Sequence, residues 1–157
     1  MAFTPLFLNA EKHGPILVVG GGEIAAAKTE ALASVGAKVQ IIAENLSQGI
    51  ITLCEQHSFD YHQTPYNHDF LEGKKIVVAA TDNDDLNTEI ATECNKRSIW
   101  VNVVDNPDLC DFIFPALVRR GPLQIAISSS GIAPVLARII KQRIDVDKVF
   151  SSLFLSW

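Results

Sequence analysis

Residues 15–22 read PILVVGGG, a short apolar run that stops on Gly20, Gly21 and Gly22. Residues 24–35 (IAAAKTEALASV) then follow a helical pattern that ends at Gly36, and residues 38–43 (KVQIIA) read as a second strand. Glycine just past a helix is a stop signal, because it takes the left-handed conformation without a Cβ penalty. Strand, glycine turn, helix and strand in about 30 residues make a βαβ unit, which commits the chain to a parallel sheet covered by helices.

The glycines also suit a nucleotide. Gly20, Gly22 and Ala25 satisfy GxGxxG/A, directly after a strand and at the opening of a helix. Gly20 permits the tight turn, Gly22 lets a pyrophosphate approach the backbone, and Ala25 lets the helix lie close to the strand. The helix N-terminus then points its free N–H groups and positive dipole end at the phosphates. An acidic residue is expected about 20 residues on, at the end of the second strand, to hydrogen-bond the ribose hydroxyls. Glu44 stands there, with Asn45 beside it. A carboxylate at that place repels a 2′-phosphate and so favours NAD over NADP. Glu44 is equally placed to cap a helix beginning near residue 46.

The alternation continues. Residues 46–56 look helical, 59–62 read as a short strand and 68–72 as a short helix or turn. Residues 75–80 (KIVVAA) form a continuous apolar run, as expected for a strand covered on both faces. Residues 84–97 place Leu86, Ile90 and Cys94 on one helical face, and 99–104 (IWVNVV) read as another strand. After Pro107 the pattern changes. Residues 112–115 and 123–128 read as strands, 119–122 (RRGP) as a turn, and 134–148 as a basic amphipathic helix opening on Pro134, where proline suits the first turn. The expectation is a Rossmann-like α/β domain over 1–114, with helices on both faces of a parallel sheet. A smaller strand-plus-helix segment over 115–157 follows it.

Three further segments carry chemistry. In open α/β sheets, ligands sit at the carboxyl ends of strands. Thr81 and Asp82, in AATDN (79–83), lie at such an end, though Asp82, Asn83 or Asp84 could instead cap the next helix. Asp105, in NVVDNP (102–107), ends another strand. A carboxylate there can act as a general base or hold a cationic group, and Asp before Asn-Pro is also a common turn residue. Ser128, Ser129 and Ser130 with Gly131 form a polar loop before the last helix, suited to binding carboxylates or to capping. No GxSxG elbow or nearby histidine supports a serine nucleophile.

The three cysteines (Cys54, Cys94, Cys110) and four histidines (His13, His57, His62, His68) have no metal-ligand spacing, so no metal is expected. Isolated cysteines fit a reducing compartment. There is no basic n-region before a long apolar run, and no apolar stretch of about 18 residues. A cytoplasmic protein without membrane contact is expected. Net charge is −5, which gives nucleic-acid binding no support. The charge is uneven, however. Residues 1–114 hold 7 Lys+Arg against 16 Asp+Glu, whereas residues 115–157 hold 6 against 2. The basic tail suits an anionic small molecule, an acidic partner surface or a solvated helix face.

Taken together, PLFL near the start, LVVGGGEIAAAK, AATDNDDLN, VNVVDNPDLCDFIFPA and ISSSGIAPVLAR resemble the precorrin-2 dehydrogenase family, which includes the N-terminal module of siroheme synthase. The segments keep the family's order over about residues 5–140. The resemblance implies NAD-dependent oxidation of precorrin-2 to sirohydrochlorin, with Gly22, Glu23 and Ile24 at the NAD turn and Glu44 and Asn45 near the adenosine ribose. It makes Asp105 the catalytic aspartate and Ser129 a substrate-region serine that some relatives phosphorylate. Arg119, Arg120, Arg138 and Lys141 become candidate contacts for the substrate's carboxylates. The resemblance also implies a homodimer that exchanges the segment after the Rossmann domain. Bifunctional relatives carry a further helical region, whereas this chain stops at Trp157 after an apolar SSLFLSW, expected to pack on a partner subunit. The expectation is a dehydrogenase, with iron insertion left to another protein. The alternatives are a ferrochelatase acting on sirohydrochlorin in the same site, and a non-catalytic NAD or tetrapyrrole sensor.

Overall fold

The computed structural model describes residues 3–121 and 123–146. The chain divides into two compact units, residues 7–112 and the described residues of 1–6 and 113–157.

The first unit holds a five-stranded parallel sheet in the order β3-β2-β1-β4-β5. Its strands are β1 (Ile16–Val19), β2 (Val39–Ala43), β3 (Asp60–Gln63), β4 (Ile76–Ala79) and β5 (Trp100–Val103). Every residue of β1 and β4 is buried, as a strand covered on both faces requires. β3 (DYHQ) is polar, exposed throughout and lies at the sheet edge. Three helices connect the strands: α1 (Glu23–Ala33), α2 (Gln48–His57) and α3 (Asp84–Lys96). Successive right-handed crossovers from β1 to β3 put α1 and α2 on one face, and the reversed direction from β4 to β5 puts α3 on the other.

The α3 face carries one buried core. Ile90, Ala91 and Cys94 pack there with Leu17, Val19, Val77, Ala79, Val101 and Val103. Burial pushes the Cys94 thiol up to about 12, so this cysteine is a packing group rather than a nucleophile. On the opposite face α1 buries Ala25, Ala26, Thr29 and Leu32. Its small side chains allow the close helix–strand approach that the glycine motif foretells. α1 ends at Ala33, two residues before the expected Val35, and a turn closes on Gly36, which is left-handed (φ 77°) with its N–H on the Ala33 carbonyl.

The second unit is a two-stranded antiparallel hairpin, β6 (Ala116–Arg120) and β7 (Leu123–Ile127), with helix α4 (Pro134–Val146) packed on β6. Two expectations need correction. Residues 112–115 belong to no strand: the Phe112 carbonyl accepts from the Asn102 side chain, and Pro115 has no N–H to donate to a ladder. Arg119 and Arg120 belong to β6, not to the turn. Arg120 pairs with Leu123, so only two residues separate the strands. Lys148 and the terminal SSLFLSW lie outside the described residues, as does Pro122.

Candidate functional site

In the sheet order, β1 is followed outward on one side by β2 and on the other by β4. This reversal is the topological switch point, where open α/β sheets open a crevice for ligands. Gly20, Glu44, Thr81 and Asp105 all follow the carboxyl ends of parallel strands, so the sheet brings them to one edge.

The loops at this edge interlock. Gly20 has φ 131°, and a Cβ there would overlap the Ala80 carbonyl oxygen and lie 2.6 Å from its carbon. A Cβ at Gly21 would overlap the Asn45 carbonyl oxygen and lie 2.9 Å from the Ala43 side chain. The glycine turn therefore rests on the loops after β4 and β2, and Ser47 N–H donates to the Gly21 carbonyl at 2.8 Å. Gly22 differs. A Cβ there would meet nothing within 4 Å. It is also the N-cap of α1, with no side chain capping the helix. An uncapped N-terminus of an 11-residue helix, behind a glycine facing open space, fits a diphosphate. Glu23 and Ile24 are both exposed on that first turn.

The competing capping roles fall to other residues. Helix α2 begins later than expected, at Gln48, and its cap is Ser47, whose hydroxyl accepts from Ile50 N–H. Glu44 is exposed and caps nothing, while its carbonyl accepts from Gln63 Nε2 at 3.1 Å. Asn45 is exposed beside it. Helix α3 is capped by Asn83, whose Oδ1 accepts from Leu86 N–H at 3.0 Å. Asp82 is thus an exposed carboxylate with no capping duty. The Thr81 hydroxyl turns inward, donating toward Asn87 Oδ1 at 2.8 Å and accepting from Asn83 N–H at 3.2 Å.

Asp105 sits one residue past Val104 with φ 59°, a left-handed conformation that Asp tolerates better than most residues. Its loop is stitched to the outer edge of β5. Asp111 accepts from Val101 N–H through Oδ2 at 2.9 Å, and its own N–H donates to the Val101 carbonyl at 2.8 Å. The Cys110 sulfur accepts from Val103 N–H at 3.1 Å. Asn102 Nδ2 donates to the Phe112 carbonyl at 2.8 Å. These contacts satisfy an edge strand that would otherwise present unpaired backbone groups, and they fix the loop that carries Asp105. Half-buried Lys28, on α1, lies within the electrostatic field of Asp105. Burial pushes its pKa down, while the carboxylate and Cys110 pull it up. No sequence motif singles out Lys28, Cys110 or Asp111. Asn87 was detectable, as a polar residue inside the apolar stripe of α3.

In the second unit the basic residues do not converge. Arg119 and Arg120 are successive on β6 and so point to opposite faces. Arg120 is engaged with Asp145, at 3.1 Å to Oδ1 and 3.2 Å to its carbonyl. Arg138 is exposed on α4. Ser129 closes the turn into α4, its hydroxyl accepting from Ala133 N–H at 2.8 Å.

A family described as "Putative NAD(P)-binding" matches residues 6–116, the part that holds the sheet and its glycine turn. The chain belongs to this NAD(P)-binding family. A second family, described as "Sirohaem biosynthesis protein central", matches residues 120–146. Among curated relatives, the siroheme synthase of Psychrobacter sp. (strain PRwf-1) is 44% identical over 141 residues, 90% of this chain and 29% of its own length. Siroheme synthase 1 of Klebsiella pneumoniae is 43% identical over 145 residues, 92% of this chain and 31% of its own. The chain thus spans about three tenths of these relatives. A solved structure of SirC, precorrin-2 dehydrogenase, superposes with a TM-score of 0.79 at 24% identity, over 96% of this chain and 74% of that one. That likeness establishes the Rossmann-like fold with its small strand-and-helix addition.

Proposed function

We propose that this chain catalyses the NAD-dependent oxidation of precorrin-2 to sirohydrochlorin. The observation that carries the reading is the meeting, at one sheet edge, of an uncapped glycine-opened helix and the carboxylate of Asp105. The kinship with siroheme synthases, and a structural neighbour titled precorrin-2 dehydrogenase, support this choice of substrate.

Oxidation removes two hydrogens from the macrocycle, one as hydride and one as a proton. Bound NAD supplies the hydride acceptor. The Gly20–Gly22 turn and the first N–H groups of α1, at Glu23 and Ile24, hold its pyrophosphate. Glu44 and Asn45 take the adenosine ribose, and the exposed carboxylate of Glu44 selects NAD over NADP. Thr81 and Asp82 wall the crevice on the β4 side. Asp105 takes the proton as the hydride leaves, from a loop that its neighbours Cys110 and Asp111 tie to β5. Arg138, exposed on α4, is the first candidate for the substrate's carboxylates, with Arg119, Lys141 and Ser129. Arg120 serves chiefly to hold Asp145.

The test is to mix purified chain with precorrin-2 and either nucleotide, without added metal, and follow reduced cofactor and sirohydrochlorin. Equal amounts of the two products, formed with NAD and much more slowly with NADP, are expected. NAD binding without turnover would favour the sensor. Iron insertion into preformed sirohydrochlorin well above the uncatalysed rate, with no oxidation, would favour the chelatase.

The same reading makes the partner a second copy of this chain. α4 is basic, yet Ile132 before it and Val135, Leu136, Ile139 and Ile140 on it are exposed, with Ile132 at 85%. Their spacing makes a continuous helical stripe, the usual sign of a surface that is covered in an assembly. No described helix is long and apolar enough to cross a membrane. Light scattering is expected to give twice the chain mass, falling to the single-chain mass in Leu136→Glu/Ile139→Glu. A monomeric wild type contradicts this part.

A further inference from the structure

Asn87 lies 3% exposed on the sheet-facing side of α3, a helix otherwise buried through Ile90, Ala91 and Cys94. Burying an amide there costs free energy unless its donors and acceptor are matched. Here the acceptor and one donor are matched by a single residue. Asn87 Oδ1 accepts from the Thr81 backbone N–H at 3.2 Å, and Nδ2 donates to the Thr81 carbonyl at 3.0 Å. The Thr81 hydroxyl also reaches Oδ1, at 2.8 Å. The side chain thus reproduces the two-point pairing of a neighbouring strand, just where β4 has ended and the sheet offers none.

The consequence reaches the glycine turn. Ala80 N–H still donates to the Val19 carbonyl at 2.8 Å, as the last sheet bond. The Ala80 carbonyl is the group that Gly20 packs against too closely for any Cβ. Thr81 is the next residue, and its backbone is the one Asn87 holds. Releasing Thr81 frees the 80–82 peptides to rotate, and with them the wall of the crevice at the β1–β4 switch point.

We infer that Asn87 is a positioning residue for the nicotinamide cofactor, acting through the Thr81 backbone rather than touching the ligand. The inference rests on the reading that NAD binds at this crevice. It requires both halves of the amide. An aspartate of the same shape keeps the acceptor but sets a second acceptor against the Thr81 carbonyl, so Asn87→Asp behaves like Asn87→Ala.

NAD affinity, thermal midpoint and amide exchange at Thr81 are measured in the wild type, Asn87→Ala, Asn87→Asp and the control Ile90→Val, which loosens the same buried helix face. Both Asn87 variants are expected to weaken NAD about tenfold, the worth of one well-made buried hydrogen bond. Turnover at saturating NAD should change much less, and Thr81 exchange should accelerate. Ile90→Val should lower the midpoint while leaving NAD affinity and Thr81 exchange as in the wild type. Undiminished NAD affinity in Asn87→Asp overturns the inference, as does equal weakening in Ile90→Val. A wild type that does not bind NAD overturns the underlying reading instead, and the two failures are thereby told apart.

Discussion

Gly20→Ala is expected to lower stability by about 3 kcal/mol or more, because it combines left-handed strain with a backbone collision. The residue has φ 131°, and its Cβ would overlap the Ala80 carbonyl oxygen and stand 3.2 Å from Thr81 N. Neither obstacle is a flexible side-chain end. The Ala80 carbonyl directly follows the buried strand β4, and the peptide after it is clamped by Asn87. Relief therefore requires β1 and β4 to part, and these are central strands of the sheet. For a chain of this size the loss corresponds to roughly 10 °C in the thermal midpoint. Gly36→Ala is the comparison. That residue is also left-handed (φ 77°), but nothing lies within 4 Å of its Cβ. It should cost only the conformational strain, about 1 kcal/mol. Equal midpoint shifts in the two variants would show that the contact with Ala80 does not matter.

Asp105→Asn is expected to lower the turnover number by about 100-fold to 10,000-fold, the usual worth of a positioned general base. Asparagine is the informative replacement. It tolerates the left-handed conformation that Asp105 adopts at φ 59°, so the loop is preserved while the proton acceptor is lost. The anchors of that loop, Asp111 on Val101 and Cys110 on Val103, are untouched. NAD affinity and thermal midpoint should therefore stay near wild type. A variant that oxidises precorrin-2 at the wild-type rate would remove Asp105 from the chemistry and leave it as a turn residue. Loss of NAD affinity without loss of maximal rate would assign it to cofactor binding.

Different parts of the molecule were legible in the sequence for different physical reasons. The βαβ start was legible because glycine, alanine and buried aliphatics are each forced there by sterics: Gly20 by the Ala80 carbonyl, Ala25 by close helix packing, β1 by burial on both faces. The capping residues were not, since Ser47 and Asn83 are indistinguishable by type from neighbours such as Asp82 and Asp84. Only the backbone geometry picks the cap. The hairpin was misplaced because FIFP looks like a strand and RRGP like a turn, whereas strand pairing depends on which carbonyls remain available. Asn102 takes that of Phe112. Arg120 is held in β6 by a partner 25 residues away, Asp145. The clamp on Thr81 and the stitching of Asp105's loop join side chains to backbone six and ten residues away; the stripe of α3 marks Asn87 as out of place, but no periodicity names its partner.

The measurement closest to the central claim is a titration of NAD into the intact wild-type chain and into Gly22→Ala. Gly22 has ordinary extended backbone (φ −84°) and open space where its Cβ would be, so alanine should leave the thermal midpoint unchanged. That same open space lies at the uncapped start of α1, where the proposed function puts the pyrophosphate. The account predicts saturable NAD binding by the wild type and at least about tenfold weaker binding by the variant, with both equally folded. Equal affinity in the two proteins, or no binding by the wild type, would contradict it.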